Sequence, residues 1–114
     1  MKVGVVGEIH SSGYKIFEKN NIEYFVTSSK DEDQLKDELS DVDGIVVRTV
    51  KLTKNVLSNA KKLKVVARHG VGYDNVDYNF LNNNKIALAI TGTSNSVSVS
   101  EHVMTMMLCL TKNI

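Results

Sequence analysis

Five short apolar runs, separated by stretches of helical pattern, constrain this sequence more than any other feature. They are KVGVV at 2–6, IEYFVT at 22–27, IVV at 45–47, LKVVA at 63–67 and IALAI at 86–90. Consecutive apolar and β-branched residues in runs this short predict strands covered on both faces, as in a parallel sheet. Between them the period becomes helical. Residues 11–20 place Tyr14, Ile16 and Phe17 among charges, with Ser11 or Ser12 as the expected N-cap. Residues 31–39 put acids in the first turn, where the helix dipole favours them, and space Leu35 and Leu39 by four. A helix around 53–60 has Thr53 as its cap and Val56, Leu57 and Ala60 on its inner face. One or two turns are predicted over 77–82, and a long helix from Val99 to Thr111 closes the chain. Strand and helix thus alternate five times. The expected fold is α/β, a doubly wound five-stranded parallel sheet with helices on both faces.

Size and composition narrow the function classes. The 114 residues amount to one domain, too short for a two-domain dehydrogenase, kinase or synthetase. A chain of this size buries about 60–70% of its unfolded surface, which supports a core without cross-links. A single Cys rules out an internal disulfide. A net charge of +1 argues against a nucleic-acid arm or a membrane-surface patch. No apolar run approaches the ~20 residues of a membrane span. Met1 leads into a strand-like segment and not into a signal peptide, so a soluble cytoplasmic protein is expected. The acidic stretch 31–43 and the Lys-rich stretch 51–64 read as solvated helix faces.

In an open α/β sheet, ligands bind beyond the carboxyl ends of the strands. The residues unsuited to a core fall at those ends. They are Gly7, Glu8 and His10 after the first strand, and Arg48 and Thr49 after the third. Arg68, His69 and the Gly70-Val71-Gly72 turn follow the fourth strand, and Thr91 to Ser96 follow the fifth. Guanidinium groups, backbone N–H groups in a Gly-flanked turn and small polar side chains all suit an anion. A site for a small carboxylate or phosphate is expected there, against the plainer reading that loops are commonly polar and rich in Gly.

Other chemistries fit poorly. The third Gly of a dinucleotide fingerprint would fall at Asn75, and no acidic residue follows at the ribose-binding distance. A nucleoside-triphosphate loop is absent from the sequence. His10, His69, His102 and Cys109 have no metal-ligand spacing, so no metal site is expected, and Cys109 reads as a packing residue. Ser98 and Glu101 have capping-box spacing, which gives Glu101 a structural reading and leaves His102 a packed or solvated helix residue. The last helix carries a stripe of Val99, Val103, Met106, Leu110 and Ile114, with Met104, Met107, Leu108 and Cys109 covering much of the remainder. Apolar residues nearly all round predict burial on two sides, one of them this sheet.

Three stretches together resemble the NAD-dependent D-2-hydroxyacid dehydrogenase family, in its phosphoglycerate dehydrogenase-like branch. They are Ile45-Val46-Val47-Arg48-Thr49, the run from Asn59 through Arg68-His69-Gly70-Val71-Gly72-Tyr73-Asp74-Asn75-Val76-Asp77, and Thr91 to His102. The resemblance implies a flavodoxin-like substrate domain over 1–114, followed by a Rossmann domain and a C-terminal return to the first domain. It implies that Val71 and Gly72 offer N–H groups to the substrate carboxylate. It also implies that Asn95 orients the substrate and that Arg48 meets a substrate phosphate or carboxylate. Val71 and Val99 would lie near the nicotinamide end of NAD, and Asp74, Asn75 and Asp77 would hold the turn and cap the next helix. The family's catalytic Arg, Glu and His come from beyond Ile114, and His69 and His102 do not match that His. Gly92 stands where the family has Pro, which puts the placement of Asn95 in question.

The expected function is the substrate-domain part of an oxidoreductase. The whole enzyme would move a hydride between NAD(H) and a small 2-hydroxy or 2-oxo acid, 3-phosphoglycerate being one candidate. The 114 residues alone are expected neither to bind NAD nor to turn over. The expected partner of helix 99–111 is the Rossmann domain or a second subunit in a homodimer; no nucleic acid or membrane is expected. A non-enzymatic module that binds small acids or dimerises is the alternative. A receiver-type signalling domain shares the topology but needs an acidic cluster after the first strand, where only Glu8 stands. On the first reading the chain makes up about the first third of a longer enzyme.

Overall fold

A computed structural model describes all 114 residues. The elements run β1 (Lys2–Val6), α1 (Ser11–Lys19), β2 (Glu23–Val26), α2 (Glu32–Glu38), β3 (Gly44–Val47), α3 (Lys54–Asn59), β4 (Val65–Arg68), α4 (Tyr78–Asn83), β5 (Ala87–Ile90) and α5 (Ser96–Lys112). The strands pair in the order β2-β1-β3-β4-β5, all parallel. This is the doubly wound flavodoxin-like order. Its direction of winding reverses between β1 and β3.

Most of the core lies on one face of the sheet. Leu35 of α2, Leu39 at its C-terminal cap, Val56 and Leu57 of α3 and Leu81 of α4 pack there against Ile45, Val47 and Val66. Gly4 permits the close approach of α2, because a Cβ on Gly4 would meet Leu39 Cδ2 at 2.4 Å. Phe25 belongs to this face. Its neighbour Tyr24 points to the other face, as strand alternation requires. There Tyr24 meets the rings of Tyr14 and Phe17 from α1, with centroids 5.4 and 5.2 Å apart.

The acidic and Lys-rich stretches meet. The Glu32 carboxylate accepts from Thr53 Oγ1 at 2.7 Å and from Asn55 Nδ2 at 3.0 Å. These bonds hold its carboxyl below the usual range. Asp41 pairs with Lys62 at 2.5 Å in the open, and Asp43 with Lys64 at 3.9 Å. Exposed pairs of this kind contribute about 0–1 kcal/mol.

Three sequence expectations change. The N-cap of α1 is His10, whose Nδ1 accepts from Ser12 N at 3.2 Å, so neither Ser11 nor Ser12 holds that place. The last helix begins three residues before Val99, because turns at 91–96 lead straight into it and Asn95 O already accepts from Val99 N. Ser98 and Glu101 therefore lie inside α5, and the capping box does not form. Finally, α5 does not lie on this sheet. Every residue from Thr91 to Leu108 is exposed, and only Cys109 in the helix is half-buried. The helix projects, giving extents of 55 × 32 × 25 Å and a radius of gyration of 17.1 Å. A compact chain of this length would have a radius of gyration of about 13 Å. The face that carries α1 stays open over β5, where Ala87 and Ala89 are exposed. No helix is long and apolar enough to cross a membrane.

Candidate functional site

The carboxyl ends of the strands form one edge, and the anion-suited residues lie along it. After β4 the chain turns sharply at Gly70, whose φ is +150°. A Cβ on Gly70 would fall 1.3 Å from Arg68 Nη1, so only Gly allows Arg68 to fold across the turn. Arg68 donates from Nη1 to His69 O at 2.5 Å and from Nε to Asn75 Oδ1 at 3.4 Å. Its guanidinium thus braces the loop from both ends. Val71 and Gly72 sit at the tip, exposed, and their N–H groups donate to no acceptor within the chain. Two free N–H groups beside a folded-over cation form the kind of concavity that binds a carboxylate.

Asn75 ties this turn to β3. Its Nδ2 donates to Val50 O at 2.8 Å and to Arg48 O at 3.4 Å. Leu52 N donates to Asn75 O at 2.7 Å and Asp77 N to Leu52 O at 3.0 Å, so the two loops run as a short parallel bridge. Asp77 then caps α4 by accepting from Phe80 N at 3.0 Å. The holding and capping parts of Asn75 and Asp77 have their geometry here.

Two hollows flank Thr49. The smaller, about 210 Å³, is lined by Thr49, Arg68, Gly72, Asp74 and Asn75. The larger, about 480 Å³, lies over the ends of β1, β2 and β3 and includes Arg48, Thr49, Thr27 and Lys30. The edge thus places Arg48 on one side of Thr49 and Gly72 on the other. Thr27 and Lys30 were not among the expected site residues. They follow β2, whose end carries no residue that stands out by type; Thr27 reads in sequence as a last strand residue.

Asn95 and Val99 are less closely tied to this edge. Thr91 N donates to Gly70 O at 3.1 Å, which starts the last loop beside the turn. Asn95 then occupies the cap position of α5 with its side chain exposed and without a capping bond. Val99 is 52% exposed and Val71 40%, so both present apolar surface to the outside. Gly92 has φ +51°, a conformation closed to Pro, whose ring holds φ near −65°. The loop to Asn95 therefore follows a path that the Pro-containing loop could not take. His10, His69 and His102 sit on separate segments.

Comparison with known proteins places this doubly wound α/β domain in a family. Residues 3–112 match the D-isomer specific 2-hydroxyacid dehydrogenases, in their catalytic domain. The chain belongs to that family. It is 34% identical over 115 residues to D-3-phosphoglycerate dehydrogenase of Methanocaldococcus jannaschii and 38% identical over 107 residues to that of Sus scrofa. These alignments cover 100% and 93% of the chain but 22% and 19% of the relatives, so the chain spans about a fifth of their length. Among solved structures it resembles the NAD+-bound 3-phosphoglycerate dehydrogenase of Entamoeba histolytica. The TM-score is 0.80 at 28% identity, over 96% of this chain and 38% of that one. An NAD-dependent formate dehydrogenase from Staphylococcus aureus in complex with NAD gives a TM-score of 0.81 at 28% identity, over 99% and 39%.

Val71 and Val99 are exposed apolar side chains on separate segments. The Gly70-Val71-Gly72 turn does not suit the pyrophosphate of NAD. The next helix, α4, is only six residues long, and its N-terminus is already capped by the Asp77 carboxylate.

Proposed function

We propose that this chain is the substrate domain of an NAD-dependent oxidoreductase acting on a small 2-hydroxy or 2-oxo acid. The pair of unsatisfied N–H groups at Val71 and Gly72 carries this reading. An acid carboxylate accepts from both, as an anion does in any backbone concavity. Arg48, one strand over and without an ionic partner, meets a second oxygen or a distal charge. Asn95, at the head of α5, closes over the acid and orients its C2 substituent. Val71 and Val99 form an apolar wall that keeps water from C2. NAD, when bound, supplies the hydride acceptor. The residues that move the proton are outside these 114 residues, so the chain alone does not turn over.

The exposed apolar surface of α5 is the docking face for the nucleotide-binding domain or for a second subunit of a homodimer. Large exposed apolar patches mark interaction sites in proteins handled by water. The likeness to dehydrogenases along the whole chain supports a cytoplasmic enzyme.

Calorimetry with D-glycerate and D-lactate, paired with an NADH oxidation assay on pyruvate, tests the proposal. Heat of binding that falls in Arg48→Ala, without NADH oxidation, is the expected result. Robust NADH oxidation by the chain alone, or no heat with either acid, overturns it.

A further inference from the structure

The face of the sheet that carries α1 has a hollow of its own. Tyr24 and Val26 alternate onto this face from β2, the strand at the margin of the sheet. The β1–α1 loop and α1 stand beside them. Between these elements lies a cavity of about 420 Å³, lined by Glu8, Ile9, Tyr14, Tyr24 and Val26. In the sheet, β1 and β3 separate β2 from the strand that leads to the Val71–Gly72 turn.

Local packing builds the walls. A Cβ on Gly13 would fall 2.7 Å from Ile9 Cδ1, so the bare Gly lets Ile9 seat against the first turn of α1. Ile9 N donates to Tyr14 Oη in a long bond of 3.5 Å, which ties the loop to that ring. Tyr14 stacks on Tyr24, with the ring planes 27° apart. Tyr24 Oη donates in turn to the Glu18 carboxylate at 3.3 Å. Both rings are therefore tethered before any ligand arrives. Val26 completes the wall and is 46% exposed, with no side chain of this protein covering it.

The single charge on these walls is Glu8. Its carboxylate makes no salt bridge, and Lys30 and Arg48, which line the neighbouring hollow, do not pair with it. An unpaired carboxylate beside aromatic rings, whose faces are negative, is the chemistry of a cation site. The apolar remainder suits a hydrocarbon body. A metal ion has no such body, and no cluster of metal-ligating side chains stands here. A zwitterionic amino acid fits worse than a simple amine, because no cation lines the cavity to meet its carboxylate.

We propose that this cavity binds a primary ammonium ion carried on an aromatic or apolar body, an arylalkylamine being the fitting class. The ammonium donates to the Glu8 carboxylate and to the second lone pair of Tyr14 Oη. The body lies against Tyr24, Ile9 and Val26.

Titrating the chain with phenethylamine, followed by NMR, tests this, with 2-phenylethanol and L-phenylalanine beside it. Phenethylamine should give saturable shifts of the Tyr14 and Tyr24 ring protons and of the Glu8 and Ile9 amides. A dissociation constant of about 10 mM is expected for so small a ligand. The alcohol lacks the charge and should bind about two- to fivefold more weakly, the scale of an exposed ion pair. L-Phenylalanine should also bind more weakly than the amine. Glu8→Gln should weaken phenethylamine by the same factor and leave the alcohol unchanged. Glu8 is exposed, so this variant should keep wild-type stability in urea. Equal affinity for amine and alcohol, or an amine affinity untouched by Glu8→Gln, overturns the proposal. The absence of saturable shifts at the Tyr14 and Tyr24 rings overturns it as well.

Discussion

Replacing Asn75 with Ala tests how the two halves of the edge are held together. Its amide joins three segments, through Val50 O at 2.8 Å, Arg48 O at 3.4 Å and Arg68 Nε at 3.4 Å. Only the first is a bond of ordinary length, contributing about 1 kcal/mol net. Its removal also leaves the Val50 carbonyl, half-buried and with no other partner, unsatisfied, which costs about 0.5–1 kcal/mol more. The two longer contacts add a few tenths each. Asn75→Ala should therefore lose about 2 kcal/mol in urea denaturation. The amide resonances of residues 48–50 and 68–72 should shift together, because one side chain positions both loops. Asn75→Asp separates the contributions. It keeps an acceptor for Arg68 but sets a carboxylate against the Val50 carbonyl, so it should be no more stable than Ala. A loss below about 0.5 kcal/mol in Asn75→Ala, with the Arg48 and Arg68 loops undisturbed, refutes the bridging role.

Further expectations follow from other contacts. Gly70→Ala should lose about 1–3 kcal/mol, since it needs φ +150° and a Cβ where Arg68 lies; wild-type stability in urea would contradict this. Glu32 has a carboxyl held below its ordinary value of 4.5 by its bonds to Thr53 and Asn55. Its contribution is present above that value and fades as pH falls through the folded one, so acid unfolding should be less steep in Glu32→Gln. An identical acid limb in both proteins would remove Glu32 from that role. The bare surface of α5 should make the chain self-associate as concentration rises, and Met106→Lys with Leu110→Lys should abolish it in sedimentation velocity. A monomer at every concentration would count against α5 as an interface.

Sequence periodicity was enough for the sheet, because both-face apolar runs such as KVGVV and IVV leave little choice but a covered parallel strand. The residues also marked Thr53 as a cap, since a side chain three residues before an N–H is a local matter, whereas the cap at Asp77 came from the family resemblance. Non-local geometry was harder. Ser98 and Glu101 have the spacing of a cap, yet the turns at 91–96 start the helix earlier and override it. The apolar surface of α5 is plain in the sequence, but not that the helix would stand away from its own sheet. At the site, Arg48, Val71 and Gly72 stand out by residue type and position. Thr27 does not: its significance is a missing hydrogen bond, which no sequence displays. Asn75 reads as a turn residue, and its reach across 25 positions to Val50 becomes visible only in the fold.

The central claim is that the free N–H groups of Val71 and Gly72 hold an acid carboxylate. Titrating the 15N-labelled chain with D-glycerate and following every backbone amide tests it most directly. The largest, saturable shifts should fall on Val71 and Gly72, with smaller ones at Arg48, and acetamide, which lacks the charge, should produce none. Saturable shifts confined to other loops, or no response from the Val71 and Gly72 amides at saturating D-glycerate, would contradict it.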